Sequence, residues 1–181
     1  MAKAVRTSAP TLTLSLLRHA KSTHDDFTGP DIERPLNKRG DRNAAAMGIW
    51  MGASGIAPAR ILCSPAQRTR QTLAHVLPHL PGKPSVAQPD DLYVAGPLVL
   101  LKHLHAVAAT DAYVLMIGHN PGLHALALDL IANGPQDRIG LLGRKLPTCG
   151  LVVIRFELAS WSDVVAGTGT LVSFTRPGEL E

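Results

Sequence analysis

Leu16-Leu17-Arg18-His19-Ala20 places an Arg-His pair where an apolar run, residues 12–17, gives way to polar side chains. A short apolar run of this kind reads as a buried strand. In sheets with helical crossovers, ligands bind beyond the carboxyl ends of the strands, which is where this pair would project. Two further segments have the same form. Ile61-Leu62-Cys63 runs into Ser64-Pro65-Ala66-Gln67-Arg68-Thr69-Arg70-Gln71-Thr72, and residues 113–117 run into Gly118-His119-Asn120-Pro121-Gly122.

Working outward, residues 24–35 have the composition of a surface loop, with Asp25, Asp26, Asp31 and Glu33 around Gly29-Pro30. Asn37 is a candidate N-cap for a helix through about residue 53. Ser64-Pro65 reads as N-cap plus first helical residue, since proline is tolerated where no amide partner is required. That helix should stop by Pro78. Residues 81–89 read as a proline-rich connector, and Gly96 or Pro97 opens a helix through about residue 109. Residues 113–117 are the third core strand, 121–132 a helix, and 134–147 an irregular segment. Residues 151–158 and 170–175 alternate as strands, with a turn at Gly167-Thr168-Gly169. This order predicts an α/β protein with a three-layer α/β/α sandwich, its sheet largely parallel with one antiparallel region.

The chain has 181 residues, 45% of them hydrophobic and 18% charged, a globular composition without internal repeats. One domain over residues 11–181 suffices, and it buries roughly 70% of the unfolded chain's surface. Residues 1–10 carry Lys3 and Arg6 and read as a flexible leader, because the apolar run that follows lacks a small-residue cleavage site. No segment approaches transmembrane length. Two cysteines, Cys63 and Cys149, in dissimilar contexts argue against a disulfide framework, so a cytoplasmic protein without membrane attachment is expected. The net charge of +4 suits an anionic ligand. Scattered Lys and Arg, and the lack of a helix-turn-helix, zinc-finger or RNP pattern, argue against nucleic acid.

Phosphoryl transfer is catalysed chiefly by positioning and charge stabilisation, because the charge sits on three peripheral oxygens. Arg18 and Arg68 could bracket a phosphate with their planar forks. A neutral His19 could attack phosphorus and hold the group until water removes it. His119, if protonated, would be a third cation on the same oxygens. The helix after Ser64-Pro65 would add a favourable dipole if its N-terminus faces the site. Ser22, Lys21 and Asn120 are further phosphate-binding candidates, with solvation or loop hydrogen bonding as the plain alternative for each. No metal or cofactor is expected. His75 and His79 are separated by Pro78 from a common helix, and His103 and His105 have no carboxylate at metal-motif spacing. A cysteine phosphatase loop needs Cys, five residues, then Arg, whereas Thr69 stands at that place after Cys63. Cys63 therefore reads as a buried strand residue.

Several of these segments together resemble the histidine phosphatase (phosphoglycerate mutase-like) superfamily, and within it the SixA-type phosphohistidine phosphatases. They are Leu17-Arg18-His19-Ala20-Lys21-Ser22, Arg34-Pro35-Leu36-Asn37-Lys38-Arg39-Gly40, Ser64 to Thr72, Leu92-Tyr93 and Gly118-His119-Asn120-Pro121. The resemblance spans nearly the whole chain. It implies the histidine phosphatase fold, His19 as nucleophile, and Arg18, Arg68 and His119 as the phosphate pocket.

Two positions depart from the wider superfamily. Arg-His-Gly is Arg-His-Ala here, at little conformational expense. The carboxylic acid that protonates the leaving oxygen in mutases and ester phosphatases has no clear counterpart in Asp90-Asp91-Leu92-Tyr93-Val94. Asp91, or its neighbour Asp90, is the candidate general acid, and Val94 is the other candidate for that slot. An alkoxide needs a proton as it leaves, and losing general-acid help costs about 10²–10⁴-fold in rate. An imidazole leaving from phosphohistidine needs less. The expected substrate is therefore a phosphohistidine-bearing protein, reached through the open site that short loops imply. A small phosphate ester hydrolysed on the same fold, or a non-catalytic phosphate-binding module, are the alternatives.

Overall fold

Alternation along the central strands builds two cores at once. The computed structural model describes residues 10–23 and 27–180, so the leader expectation lies outside the described residues except for Pro10. The strands are β1 (Leu12–Arg18), β2 (Arg60–Cys63), β3 (Ser85–Ala87), β4 (Tyr113–Gly118), β5 (Ile131–Asn133), β6 (Leu151–Phe156) and β7 (Gly169–Thr175). The helices are α1 (Lys38–Ala53), α2 (Gln67–Val76), α3 (Pro97–His105), α4 (Gly122–Leu130) and α5 (Gln136–Arg144). Successive strand residues face opposite sides. Leu14, Leu16, Val114, Met116, Val152 and Ile154 accordingly join one core, with leucines of α3, α4 and α5. Leu17, Leu115, Ile117, Leu151 and Val153 join the other, with Ala44, Met47 and Met51 of α1 and Leu73 and Val76 of α2. Three layers result.

The described strands form one sheet in the order β3-β2-β4-β1-β6-β7-β5. From β3 to β1 all neighbours are parallel, and β6 runs antiparallel to both β1 and β7. The register sets Arg18 beside Gly118 and Cys63 beside Ile117. Pairing continues past the strand ends, where His19 N donates to Gly118 O at 3.0 Å and Ser64 N to Ile117 O at 2.9 Å. The Arg-His, Gly-His and Cys-Ser junctions therefore lie side by side on one carboxyl edge.

Helix α1 starts as expected, with the Asn37 side chain accepting from Gly40 N at 2.9 Å. A Cβ on Gly40 would overlap the Lys21 carbonyl oxygen, so this glycine lets the helix N-terminus press on the segment after His19. Elsewhere the chain departs from the sequence reading. Helix α2 begins at Gln67 with Ala66 at its N-cap, not at Ser64-Pro65, because the Ser64 hydroxyl is engaged by His119. The segment 81–89 contains the edge strand β3, which is three residues long and close to Pro84 and Pro89. The segment 134–147 contains α5, whose Gly140 and Gly143 weaken its helical signal while Leu142 is buried against the sheet. Helix α4 stops at Leu130, and residues 131–133 instead pair with β7. Helix α3 ends at His105, four residues before the expected end at 109. No helix among the described residues is long and apolar enough to cross a membrane.

Two glycine substitutions should move stability in opposite directions. A Cβ on Gly122 would overlap the Ala95 carbonyl oxygen, so Gly122→Ala should lose about 1–3 kcal/mol. Gly140 faces open space inside α5, and Gly140→Ala should gain about 0.5–1 kcal/mol. Thermal unfolding reads both, at about 2–4 °C per kcal/mol.

Candidate active site

His19 follows the last residue of β1 and is almost wholly buried. Its Nδ1–H donates to the Ala20 carbonyl at 2.7 Å, which selects the tautomer with the lone pair on Nε2. Among the described residues Nε2 has no hydrogen-bond partner, and it is not among the sealed atoms. Burial, with Arg68, Arg18 and Arg34 adding to it, pushes the imidazole down to about 4. The ring is neutral at physiological pH and presents an unprotonated nitrogen to the pocket. Ala20 N in turn donates to Thr72 Oγ1 at 3.0 Å, tying the segment to α2.

Around it lies a cavity of about 290 Å³, walled by Arg18, Lys21, Ser22, Asp31, Arg34, Arg68, Val94, His119, Asn120 and Thr148. The structure thus brings together His19, Arg18, Arg68, His119, Ser22 and Asn120. Arg18 Nη1 and Asn120 Nδ2 both donate to the Leu146 carbonyl, at 3.0 and 2.9 Å, so one loop carbonyl orients both. The Cys149 amide donates to the carbonyls of Arg18 and His19 at 3.0 and 3.1 Å, anchoring that loop to the end of β1. The His19 and His119 ring centres are 5.2 Å apart.

His119 does not stand as a cation in this site. Burial first, then Arg68 and His19, pushes its pKa down to about 3, and its Nε2 shares a 2.7 Å hydrogen bond with Ser64 Oγ. The positive charge on the walls instead comes from Lys21 and the guanidinium groups of Arg18, Arg68 and Arg34, the last of which the sequence reading had missed.

Asp31 is the other residue missed. Arg68 is 3% exposed, and its Nη1 donates to the Asp31 carbonyl at 2.7 Å and its Nη2 to Asp31 Oδ2 at 3.0 Å. Arg34 Nε and Nη2 donate to Asp31 Oδ1 at 2.9 and 2.7 Å, and the Tyr93 hydroxyl donates to Oδ2 at 2.6 Å. The Tyr93 hydrogen bond and the two arginines hold the Asp31 carboxyl well below the usual carboxylate range. Ser22 Oγ accepts from Arg34 Nη1 at 2.7 Å, so its hydroxyl serves this network. Asp31 looked like one of several loop acids. Its one distinguishing signal was its place three residues before Arg34-Pro35.

The candidate acid Asp91 is not brought to the pocket. It lies in a turn of 3-10 helix over Asp90–Leu92, and its Oδ1 meets His103 Nε2 of α3 at 2.7 Å. That contact also gives His103 a carboxylate partner that the sequence spacing had concealed. The same segment contributes Val94 to the wall. Cys63 and Cys149 are free and buried, and burial pushes both thiols up to about 12, which leaves neither as a nucleophile. Among the described residues no group of three or more His, Cys, Asp or Glu could hold a metal ion. A larger hollow of about 470 Å³, beside Trp50, Phe174 and Glu179, has none of the strand-end residues on its walls.

Comparison with known proteins bears on the family and the fold. The profile of the histidine phosphatase superfamily (branch 1) matches residues 14–92. The chain is 36% identical over 163 residues to the uncharacterized protein Rv1276c of Mycobacterium tuberculosis, covering 89% of this chain and 99% of that one. In structure it is similar to a candidate phosphohistidine phosphatase SixA from Nakamurella multipartitia, with a TM-score of 0.80 at 29% identity over 94% of this chain and 98% of that one. A second such SixA, from Agrobacterium tumefaciens, gives 0.76 at 27% identity over 92% and 98%. The chain belongs to the histidine phosphatase superfamily, and its fold is similar to that of the SixA structures. Its chemistry is that of a phosphatase of this superfamily.

Removing the Asp31 carboxylate should leave Arg68 a buried cation without its anionic partner. We expect Asp31→Ala to lose about 1–3 kcal/mol, and Tyr93→Phe, which deletes one hydrogen bond, about 0.5–1.5 kcal/mol. Thermal unfolding at neutral pH checks the ranking; equal unfolding temperatures for parent and Asp31→Ala would remove Asp31 from this role.

Proposed function

We propose that this protein hydrolyses the phosphorus–nitrogen bond of phosphohistidine carried on a partner protein, by way of a phosphoenzyme on His19. The observation that carries this reading is the pairing of an open His19 Nε2 with a pocket whose one carboxylate among the described residues, Asp31, is held ionised. An ionised carboxylate has no proton to give to an alkoxide.

In the first step the His19 Nε2 lone pair forms a bond to phosphorus as the bond from phosphorus to the substrate nitrogen breaks. The departing imidazole takes that electron pair. It leaves neutral when its other nitrogen is already protonated, so the enzyme need supply no proton. Arg18, Arg34 and Arg68 offset the charge on the three peripheral oxygens. A bound phosphoryl dianion also favours protonation of His119. In the second step water attacks phosphorus, the bond to His19 Nε2 breaks, and its pair returns to the ring. Inorganic phosphate leaves, and the proton lost by the water passes to a phosphate oxygen or to solvent.

A small phosphate ester is the second reading. It draws on the size of the pocket, about 290 Å³, which is close to the lower end for small-molecule sites.

Phosphate release by the parent protein and His19→Ala, on a phosphohistidine protein and on a panel of phosphate esters, tests the reading. Release from phosphohistidine that falls about 10³-fold or more in His19→Ala supports it. A preferred ester would overturn it.

The pH profile gives a second test. The nucleophile works unprotonated, so kcat/KM on the free enzyme should rise with pH through about 4 and stay level from there to neutrality, as far as His19 governs it. An acid limb centred near the ordinary histidine value of 6.5 would contradict the burial argument.

A further inference from the structure

Val94 has a φ of +50°, in the left-handed region, and it is β-branched. That conformation crowds Cβ against the following carbonyl and is disfavoured by about 1–2 kcal/mol, which glycine would avoid. Packing does not account for the side chain, since Val94 is 48% exposed. Both of its neighbours are pinned. Tyr93 donates to Asp31 and meets the His119 ring edge-on at 5.8 Å. Ala95 is buried, with its carbonyl against the Cα of Gly122. The turn is thus held from both sides, and the strained residue between them presents an exposed apolar side chain in the same wall as Arg18, His19, Arg68 and His119. Strain that the surroundings enforce, at a residue facing a pocket, is an argument for a functional contact.

We propose that Val94 is a specificity-determining residue, an apolar platform at the mouth of the phosphate pocket on which a flat, uncharged leaving group packs. Identifying that ring as the imidazole of phosphohistidine rests on the function proposed above. The other residues of the pocket wall are charged or polar, and the cations among them suit the phosphoryl group. Val94 supplies apolar contact to what the phosphoryl group is attached to. A contact of this kind discriminates a ring from a hydrated polyol, because only the ring gains by leaving water for an apolar surface.

The test compares the parent with Val94→Gly and Val94→Asn, by thermal unfolding and by KM for a phosphohistidine peptide, p-nitrophenyl phosphate and glycerol phosphate. Inhibition by inorganic phosphate is measured alongside. Both variants should unfold at or above the parent temperature, since glycine and asparagine accept the left-handed region. KM for the two ring-bearing substrates should rise about five- to tenfold, the scale of one valine contact. KM for glycerol phosphate and inhibition by inorganic phosphate should not change. An unchanged KM for the ring-bearing substrates, or a lower unfolding temperature in both variants, overturns the inference. A parent inactive on phosphohistidine, with the KM effect kept on p-nitrophenyl phosphate, would sink the phosphohistidine reading and leave the role of Val94 standing.

Discussion

Backbone hydrogen bonding between β1 and β4 runs one residue past the strands, from His19 N to Gly118 O, and the neighbouring β2 does the same from Ser64 N to Ile117 O. In a parallel arrangement all three chains leave the sheet on the same side, so residues remote in sequence are delivered to one edge without any dedicated loop. His19, His119 and Ser64 owe their proximity to this register. A slip of one residue in β1 would turn His19 to the opposite face and exchange the two cores, since Leu16 and Leu17 serve different layers.

Gathering cations at that edge creates an electrostatic problem that the loop before α1 solves. Arg68 is nearly fully buried, and after burial itself, Arg68 and Arg18 are among the causes that lower the pKa of both histidines. Asp31 relieves it through hydrogen bonds to Arg68 and Arg34, and Tyr93 donates to the same Oδ2 that Arg68 meets. Holding Asp31 ionised has a chemical consequence. The carboxylate balances charge and orients Arg68, and in doing so gives up the capacity to donate a proton. With Asp31 ionised, no other carboxylate among the described residues lines the pocket.

How much of this was legible beforehand follows from the range of each interaction. The strand-end junctions at Arg18-His19, Cys63-Ser64 and Gly118-His119 announce themselves locally, because an apolar run ending in chemistry-bearing residues needs only a window of a few residues. The Asn37 cap was readable for the same reason. Helix α5 was not, since Gly140 and Gly143 depress its local propensity and burial of Leu142 against the sheet compensates. The helix start at Ser64-Pro65 failed for another reason. The serine hydroxyl that would have capped the helix bonds to His119, 55 residues away. Asp91 looked like the acid by position in the chain, yet its carboxylate bonds to His103 on the far side of a tight turn.

Taken by itself, the amino-acid sequence determined the α/β class, the four pocket residues to consider and the family to which the chain belongs. These depend on periodicity and short motifs, which are local properties of the chain. Tertiary structure alone decided which loop acid meets Arg68, that Arg34 joins Arg18 and Arg68 at the pocket, that His119 rests neutral and that Val94 faces the pocket. Those outcomes depend on which groups lose water and which charges come within a few ångströms of one another. Neither desolvation nor proximity between residues such as Asp31 and Tyr93 is defined until the chain has folded.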